Sequence, residues 1–370
     1  FGSSPSTQGT AIDVFDGGVQ KSPLPHVVDG AGGAGGRLKV APMSFARQTS
    51  GGPASQPQQI PAMRRAVPKR KEVALPRVQR GPRCPGRDAA PAIMRRKLGA
   101  EIDREPRIYI LVFPAEADSV LSGWLKLEVD APSDVELATY EWAGHGVRQN
   151  EPLLSTLEEV GADAFETFRE AMIAGPFIAV GNSVGVLVML YVCERAQREL
   201  GVAPRSAFAL DRGPPHLPVF TDFGYKLLMD KPTEWMALWN PGISRLHRDG
   251  KIAEAAFQRW ITDMRIENDT RPVGWYRFAC RMTVLVALKT SQDFPAAACI
   301  QEGVDEVWAD KIARCTRSGK GYSWEPEDFD LWREWADDVC IYELPCEHEQ
   351  VSRDSAFHDV LWQEVRRVIG

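Results

Sequence analysis

The residues that could do chemistry in this chain centre on Gly181-Asn182-Ser183-Val184-Gly185. A short apolar run, Phe177 to Val180, stops at the first glycine. A long apolar segment follows the second and closes in Glu194, Arg195 and Arg198. A G-x-S-x-G stretch with a strand before it and a helix after it is what a nucleophile elbow requires. The sharp turn strains the serine backbone, lifts its Oγ clear of the sheet, and needs small neighbours for the close approach of strand and helix. It also leaves the N–H of Val184 at a helix start, where it can face an oxyanion. The competing reading is a serine in a glycine-rich turn without chemistry.

An elbow serine needs an acid and then a histidine later in the chain. Four histidines follow Ser183, namely His216, His247, His348 and His358. "CIYELPCEHEQ" (340–350) reads as a last strand followed by a loop, and places His348 where a general base belongs. His358 falls in "FHDVLWQEVRRVIG", a terminal amphipathic helix, and is expected as a surface residue of that helix. The acid is expected after the preceding strand, where "TVLVALKTSQDFP" (283–295) offers Asp293. Asp305, Asp330 and Asp338 stay open as rivals, and Asp293 could equally start a turn. In this arrangement His348 takes the Ser183 proton and returns it to the leaving group, while Asp293 fixes the imidazole tautomer. The oxyanion would be bound by the N–H of Val184 and by one from the loop after the first strand, residues 114–118.

The elements that must hold these residues are legible as alternating strands and helices. Apolar runs at 107–114, 135–142, 176–180, 205–211, 282–290 and 340–345 read as strands. Leu157, Val160, Ala164, Phe165, Phe168 and Met172 recur at helical spacing, and a second helix runs from the elbow to about Leu200. Such alternation predicts a mostly parallel sheet covered on both faces. The stretch 220–270 breaks the rhythm with helical sequence. Its Met229, Trp235, Leu238 and Trp239 suit a cap over the sheet, and Trp235, Met236, Leu238 and Trp239 suit an apolar pocket, or simply lid packing.

The 370-residue chain is 44% hydrophobic and 25% charged, with a net charge of −6. That charge hides an asymmetry: residues 1–105 carry net +9 and the remainder net −15. The first part is rich in Gly, Pro, Ser and Gln, as in "DGAGGAGGR" (29–37) and "SGGPASQPQQIPA" (50–62). It cannot bury enough apolar surface to offset its ordering entropy, so 1–105 is expected as a disordered basic linker or targeting remnant, and 106–370 as the folded domain. Seven cysteines without a CxxC pair argue against a zinc site or a disulfide framework. The longest apolar run falls well short of the roughly 20 residues a membrane span needs. A cytoplasmic location is the simpler expectation, with an organelle such as a plastid as the alternative if the arm is a targeting remnant.

Residues 107–370 resemble the type II, external editing thioesterases of polyketide and nonribosomal peptide synthesis. The likeness rests on "LVFPAEADS" (111–119), "YEWAGHGVRQNEP" (140–152), "PFIAVGNSVG" (176–185), "DRGPPHLP" (211–218), "ITDMRIEND" (261–269) and "WEPEDFDLWREWADDVCIYELPCEH" (324–348). It implies an α/β-hydrolase fold with a helical lid at about 220–270. It further implies hydrolysis of acyl groups from the phosphopantetheine thiol of an acyl or peptidyl carrier protein. By position it implies Ser183, Asp293 and His348 as the triad, Val184 with Ala115 or Glu116 at the oxyanion hole, and a structural role for His216. No metal or cofactor is called for, and neither nucleic acid nor membrane is an expected partner.

The sequence departs from the family around the site. Asn182 replaces a histidine, Ala117-Asp118 stand for Gly-Gly, and Cys346-Glu347 for the Gly-Gly before His348. An insertion at roughly 298–322 reads as polar and loop-like. These changes keep two alternatives open, a serine esterase acting on another acyl ester and a catalytically inactive module that docks a carrier. The basic arm, residues 63–97, is a candidate source of local attraction for an acidic carrier.

Overall fold

The computed structural model describes residues 106–115, 124, 127, 129–239, 241–289, 306–317 and 324–370. The basic arm expected over residues 1–105 lies outside the described residues.

Six parallel strands form one sheet: β1 (Ile108–Phe113), β2 (Val135–Thr139), β3 (Phe177–Asn182), β4 (Ser206–Leu210), β5 (Phe278–Lys289) and β6 (Ala336–Glu347). Their order across the sheet is β2-β1-β3-β4-β5-β6. The period-two alternation of the strands sorts their side chains between two cores. Ile108, Ile110 and Val112 of β1, Ile178 and Val180 of β3, and Phe208 and Leu210 of β4 face one side. There they meet Phe357, Leu361 and Val365 of the terminal helix. Leu111, Phe113, Phe177, Ala179, Ala207 and Ala209 face the other, against the helices that flank β3. The near-continuous apolar strands follow from this, because both faces of a parallel sheet are covered.

Helices α1 (Leu157–Ala174) and α2 (Gly185–Leu200) flank β3 in the chain. Thr156 caps α1 by accepting from the Glu159 N–H, and Glu158 and Glu159 complement the helix dipole in the first turn. α2 ends at Gly201, whose φ of 70° closes the helix in the left-handed region. The segment between β4 and β5 folds as four helices: α3 (Asp222–Asp230), α4 (Pro232–Trp239), α5 (Pro241–Arg248) and α6 (Glu254–Glu267). They share a small core of their own, with Phe220, Leu228, Trp235, Met236, Leu238, Phe257 and Ile261. This is the helical lid expected at 220–270, although Met229, assigned to its apolar side, is exposed.

The insertion expected to be loop-like at 298–322 is in part helical. Residues Glu306–Cys315 form α7, and Thr316 bridges to Phe220, so α7 packs under the lid and Cys315 joins the lid core. Two further helices, α8 (Pro326–Asp330) and α9 (Ser355–Ile369), complete the domain. His358 in α9 is buried rather than on the surface, and its Nε2 lies 3.1 Å from the Ser352 carbonyl. It sits three residues before Leu361, at the edge of the apolar stripe. Among the described residues no helix is long and apolar enough to cross a membrane.

Candidate active site

The elbow is built as its glycines require. Ser183 follows the last residue of β3 and adopts φ 51°, in the left-handed region that non-glycine residues rarely enter. A Cβ on Gly181 would stand 2.6 Å from Val186 Cα, and one on Gly185 would stand 2.0 Å from the Phe113 carbonyl oxygen. The first glycine lets strand and helix fold back on each other. The second lets the end of β1 pass directly over the start of α2. That packing brings the backbone of Phe113 and Pro114 against the start of α2. The Trp142 indole N–H, which donates to the Pro114 carbonyl at 3.2 Å, pins this segment.

Ser183 is buried, and its Oγ lies 3.2 Å from Nε2 of His348. His348 begins the 3-10 turn His348–Arg353, directly after β6. Glu347, which stands where the family has its second glycine, has a local role of its own and caps this turn in a reciprocal box with Gln350.

The carboxylate on the far side of His348 is that of Asp211. Its Oδ2 lies 2.7 Å from Nδ1, and its Oδ1 accepts the Ala287 N–H at 2.8 Å. Asp211 directly follows β4 and, like Ser183, has a positive φ, 44°. Its own N–H donates to the Leu285 carbonyl on β5. With Asp211 accepting at Nδ1, a neutral imidazole carries its proton there and turns a lone pair toward the serine hydroxyl. Asp293, the acid expected from the sequence, lies outside the described residues, as does Glu116. Of the rivals, Asp338 pairs with Arg281 at 2.9 Å at the other end of β6, and Asp330 lies at the end of α8. The structure thus brings together Ser183 and His348, with Val184 at the start of α2 and the end of β1 packed against Gly185. It adds Asp211, the first residue of "DRGPPHLP", to which the sequence alone assigns no role.

Electrostatics couple these groups. Burial disfavours the charged His348 ring, but the hydrogen bond and charge of Asp211, with Glu349 and Glu267 adding to them, outweigh it and hold the imidazole up at about 9. Glu267, the last residue of lid helix α6, is fully buried with Oε1 3.4 Å from Ser183 Oγ. Burial pushes its carboxyl up to about 7, against the pull of Arg212, His348 and Ser183. Arg212 is itself buried. It donates from Nη2 to the Glu267 carbonyl, and its Nε and Nη1 find no acceptor among the described residues. Burial lowers this guanidinium to about 10 while Glu267 supports its charge.

The conspicuous "YEWAGHGVRQNEP" segment forms the neighbouring wall. Arg148 forks onto both carboxylate oxygens of Glu151 and reaches Asp163 on α1 at 2.6 Å. Tyr140 donates to the same Asp163 oxygen at 3.0 Å. His145 is buried with Nε2 2.9 Å from Asp263 of α6 and Nδ1 3.1 Å from the Ala143 carbonyl, which ties this loop to the lid. His216 accepts the Trp335 indole N–H at 2.9 Å and stacks on that ring. Among the described residues no group of His, Cys, Asp and Glu is arranged to hold a metal ion.

A buried serine, an oriented imidazole and a carboxylate in relay are suited to acyl transfer. Comparison with known proteins agrees. Residues 114–236 match the thioesterase domain family. No curated protein sequence matches the chain. Among solved structures, ClbQ of the colibactin NRPS/PKS pathway is 14% identical, with a TM-score of 0.50 over 71% of this chain and 97% of that one. YbtT, a type II thioesterase of the yersiniabactin NRPS/PKS pathway, is 14% identical with a TM-score of 0.50 over 72% and 95%. BorB, a type II thioesterase of the borrelidin cluster, is 12% identical with a TM-score of 0.50 over 72% and 97%. At such identity these likenesses concern the fold, an α/β-hydrolase-like parallel sheet with helices. The match over residues 114–236, together with the fold, supports a hydrolase acting on thioester bonds.

Proposed function

We propose that this chain hydrolyses acyl groups from the phosphopantetheine thiol of an acyl or peptidyl carrier protein through an acyl-Ser183 intermediate. The observation that carries the reading is the relay Asp211 Oδ2–His348 Nδ1, His348 Nε2–Ser183 Oγ at 2.7 and 3.2 Å. In the first half-reaction the Oγ–C bond forms as the hydroxyl proton passes to His348 Nε2. The C–S bond then breaks, and the imidazolium returns the proton to the departing thiolate. Water repeats the sequence on the acyl-enzyme, with His348 again as base. Asp211 holds the ring and stabilises its cation. The N–H groups of Val184 and Ala115 stabilise the oxyanion from the start of α2 and the end of β1.

Support for a carrier partner is the resemblance to pathway thioesterases and the type II members among proteins of similar fold. The test is hydrolysis of acyl-pantetheine thioesters by residues 106–370, following free thiol, beside Ser183→Ala. Turnover that disappears in the variant supports the reading. Absence of turnover by a folded protein across several acyl lengths rejects it in favour of a docking module.

A further inference from the structure

Several of the lid's apolar side chains pack within the lid itself. Trp235 packs edge-on against Phe220 at 5.2 Å, and Met236 and Leu238 fill the same cluster. These are the residues that would have made an apolar acyl pocket. What α6 brings to the nucleophile is a carboxyl group. Asp263 and Glu267 lie one turn apart on one face of α6, and both are buried. Asp263 is engaged by His145 at 2.9 Å, and Glu267 reaches Ser183 Oγ at 3.4 Å with the Arg212 guanidinium behind it.

Which part of a substrate would meet Glu267 follows from the chemistry at Oγ. The tetrahedral carbon bonded to Oγ carries three other groups. The oxyanion must face the Val184 N–H. The departing sulfur must face His348, which supplies its proton. A carboxylate cannot stand against the developing oxyanion without opposing it. The remaining direction is that of the acyl chain, whose α-carbon is two bonds from Oγ. A group within hydrogen-bond reach of Oγ there is within reach of a substituent on that carbon.

Resting on the acyl-Ser183 reading, we infer that Glu267 selects acyl groups carrying a hydrogen-bond donor, a hydroxyl or an ammonium, on the carbon next to the thioester. The buried carboxyl accepts from that donor, a hydrogen bond that an acyl group without one cannot make. Arg212 donates to the Glu267 backbone carbonyl, and its charge favours the ionised form of the Glu267 carboxyl.

The test compares three pantetheine thioesters of equal chain length, propionyl, 2-hydroxypropionyl and 2-aminopropionyl, with the full chain and with Glu267→Gln and Glu267→Leu. The wild type is expected to favour one or both donor-bearing groups over propionyl by roughly 10- to 100-fold in kcat/KM. A hydroxyl-only or amine-only preference tells the two donors apart. Glu267→Leu is expected to flatten the ratio, and Glu267→Gln to abolish an amine preference while keeping part of a hydroxyl preference. Ratios at one pH cancel any effect of the variants on His348. Binding of the corresponding non-hydrolysable amides to the wild type is measured alongside. Discrimination in binding without turnover upholds this inference while the thioesterase reading falls. Equal handling of all three acyl groups by the wild type, in turnover and in binding, overturns it, as does a preference that survives Glu267→Leu.

Discussion

Asp211 Oδ2 stands 2.7 Å from His348 Nδ1, although the two residues are 137 positions apart. The contact is set by three parallel strands. β4 ends at Leu210, paired with Leu285 of β5, and β5 pairs in turn with β6, which ends at Glu347 beside His348. Asp211 continues past its strand in a left-handed turn, held by the Leu285 carbonyl at its N–H and the Ala287 N–H at Oδ1. The carboxylate is therefore fixed by backbone, and the ring by the carboxylate. Such preorganisation is what a general base at the carboxyl ends of strands requires.

The first prediction follows from that contact. Asp211→Asn presents an amide N–H₂ or a neutral carbonyl to Nδ1, removes the charge that supports the imidazolium, and lets the ring adopt the wrong tautomer. We expect kcat to fall by roughly 10³- to 10⁴-fold with little change in KM, the scale associated with losing the orienting acid of a serine triad. Asp293→Asn is expected to stay within about twofold of wild type. Steady-state kinetics of both variants on one acyl-pantetheine decides it, and the reverse ranking would return the acid role to Asp293.

The pH profile is the second. His348 must be neutral to accept the Ser183 proton, and its pKa is raised to about 9. The protonated, inactive ring therefore prevails below that value. We expect kcat/KM to climb about tenfold per pH unit until an apparent pKa near 9. Glu267, pushed up to about 7, gains its negative charge as pH passes through that range and helps hold the proton on His348. Glu267→Gln removes this charge and should move the ascending limb to lower pH. A wild-type limb centred near the ordinary histidine value of about 6.5 would contradict the electrostatic picture.

The elbow and the base are legible in the sequence because their signals are local. An apolar run, two glycines and a helix identify Ser183, and a loop after the last strand identifies His348. The strands are legible from apolar runs of the length that a doubly covered parallel sheet demands. The carboxylate beside His348 is not, because its position depends on which strand neighbours which. An aspartate after a strand describes both Asp211 and Asp293, and only the β4–β5 register and the Ala287 N–H distinguish Asp211. "DRGPPHLP" stands out in the sequence, but the chemistry in it is its first residue. Glu267 is hidden for a related reason. At the end of "ITDMRIEND" it reads as an ordinary polar helix residue, since Phe257, Ile261 and Met264 already supply that helix with an apolar face for the lid core. Only the tertiary fold shows that the adjoining face, with Asp263 and Glu267, is buried too.

The third prediction concerns the glycine after the elbow. In Gly185→Ala the new methyl would meet the backbone oxygens of Phe113 and Pro114, at 2.0 and 2.6 Å. Backbone cannot rotate away as a side chain can, so β1 and α2 must separate. We expect destabilisation by at least about 1–3 kcal/mol, read from urea unfolding. Because the segment proposed to bind the oxyanion follows β1, activity should fall further than stability. A variant with wild-type stability and turnover would show that β1 and the elbow are less closely packed than described.

The last prediction concerns how the lid is held. His145 sits in the loop after β2, between Gly144 and Gly146, both with positive φ, and meets Asp263 of α6 at 2.9 Å. Its Nδ1 faces the Ala143 carbonyl, so that nitrogen is the donor, and a further proton is shared between Nε2 and the Asp263 carboxyl. Burial raises the Asp263 pKa and the hydrogen bond to His145 opposes that rise, so the pair stands or falls together. His145→Ala leaves Asp263 buried beside a void, a change that costs about 3–5 kcal/mol when a buried pair is broken. Much of that cost can be relieved by α6 moving away, because the lid has its own core and can shift without dismantling the sheet. We therefore expect hydrogen exchange to accelerate in α3–α6 of His145→Ala, while the amides of β1, β3 and β4 keep their protection. Turnover should fall too, since Glu267 rides on the same helix. Replacing both partners, His145→Leu with Asp263→Leu, should recover most of the lost protection. Uniform acceleration across lid and sheet would instead make the pair a support of the whole domain.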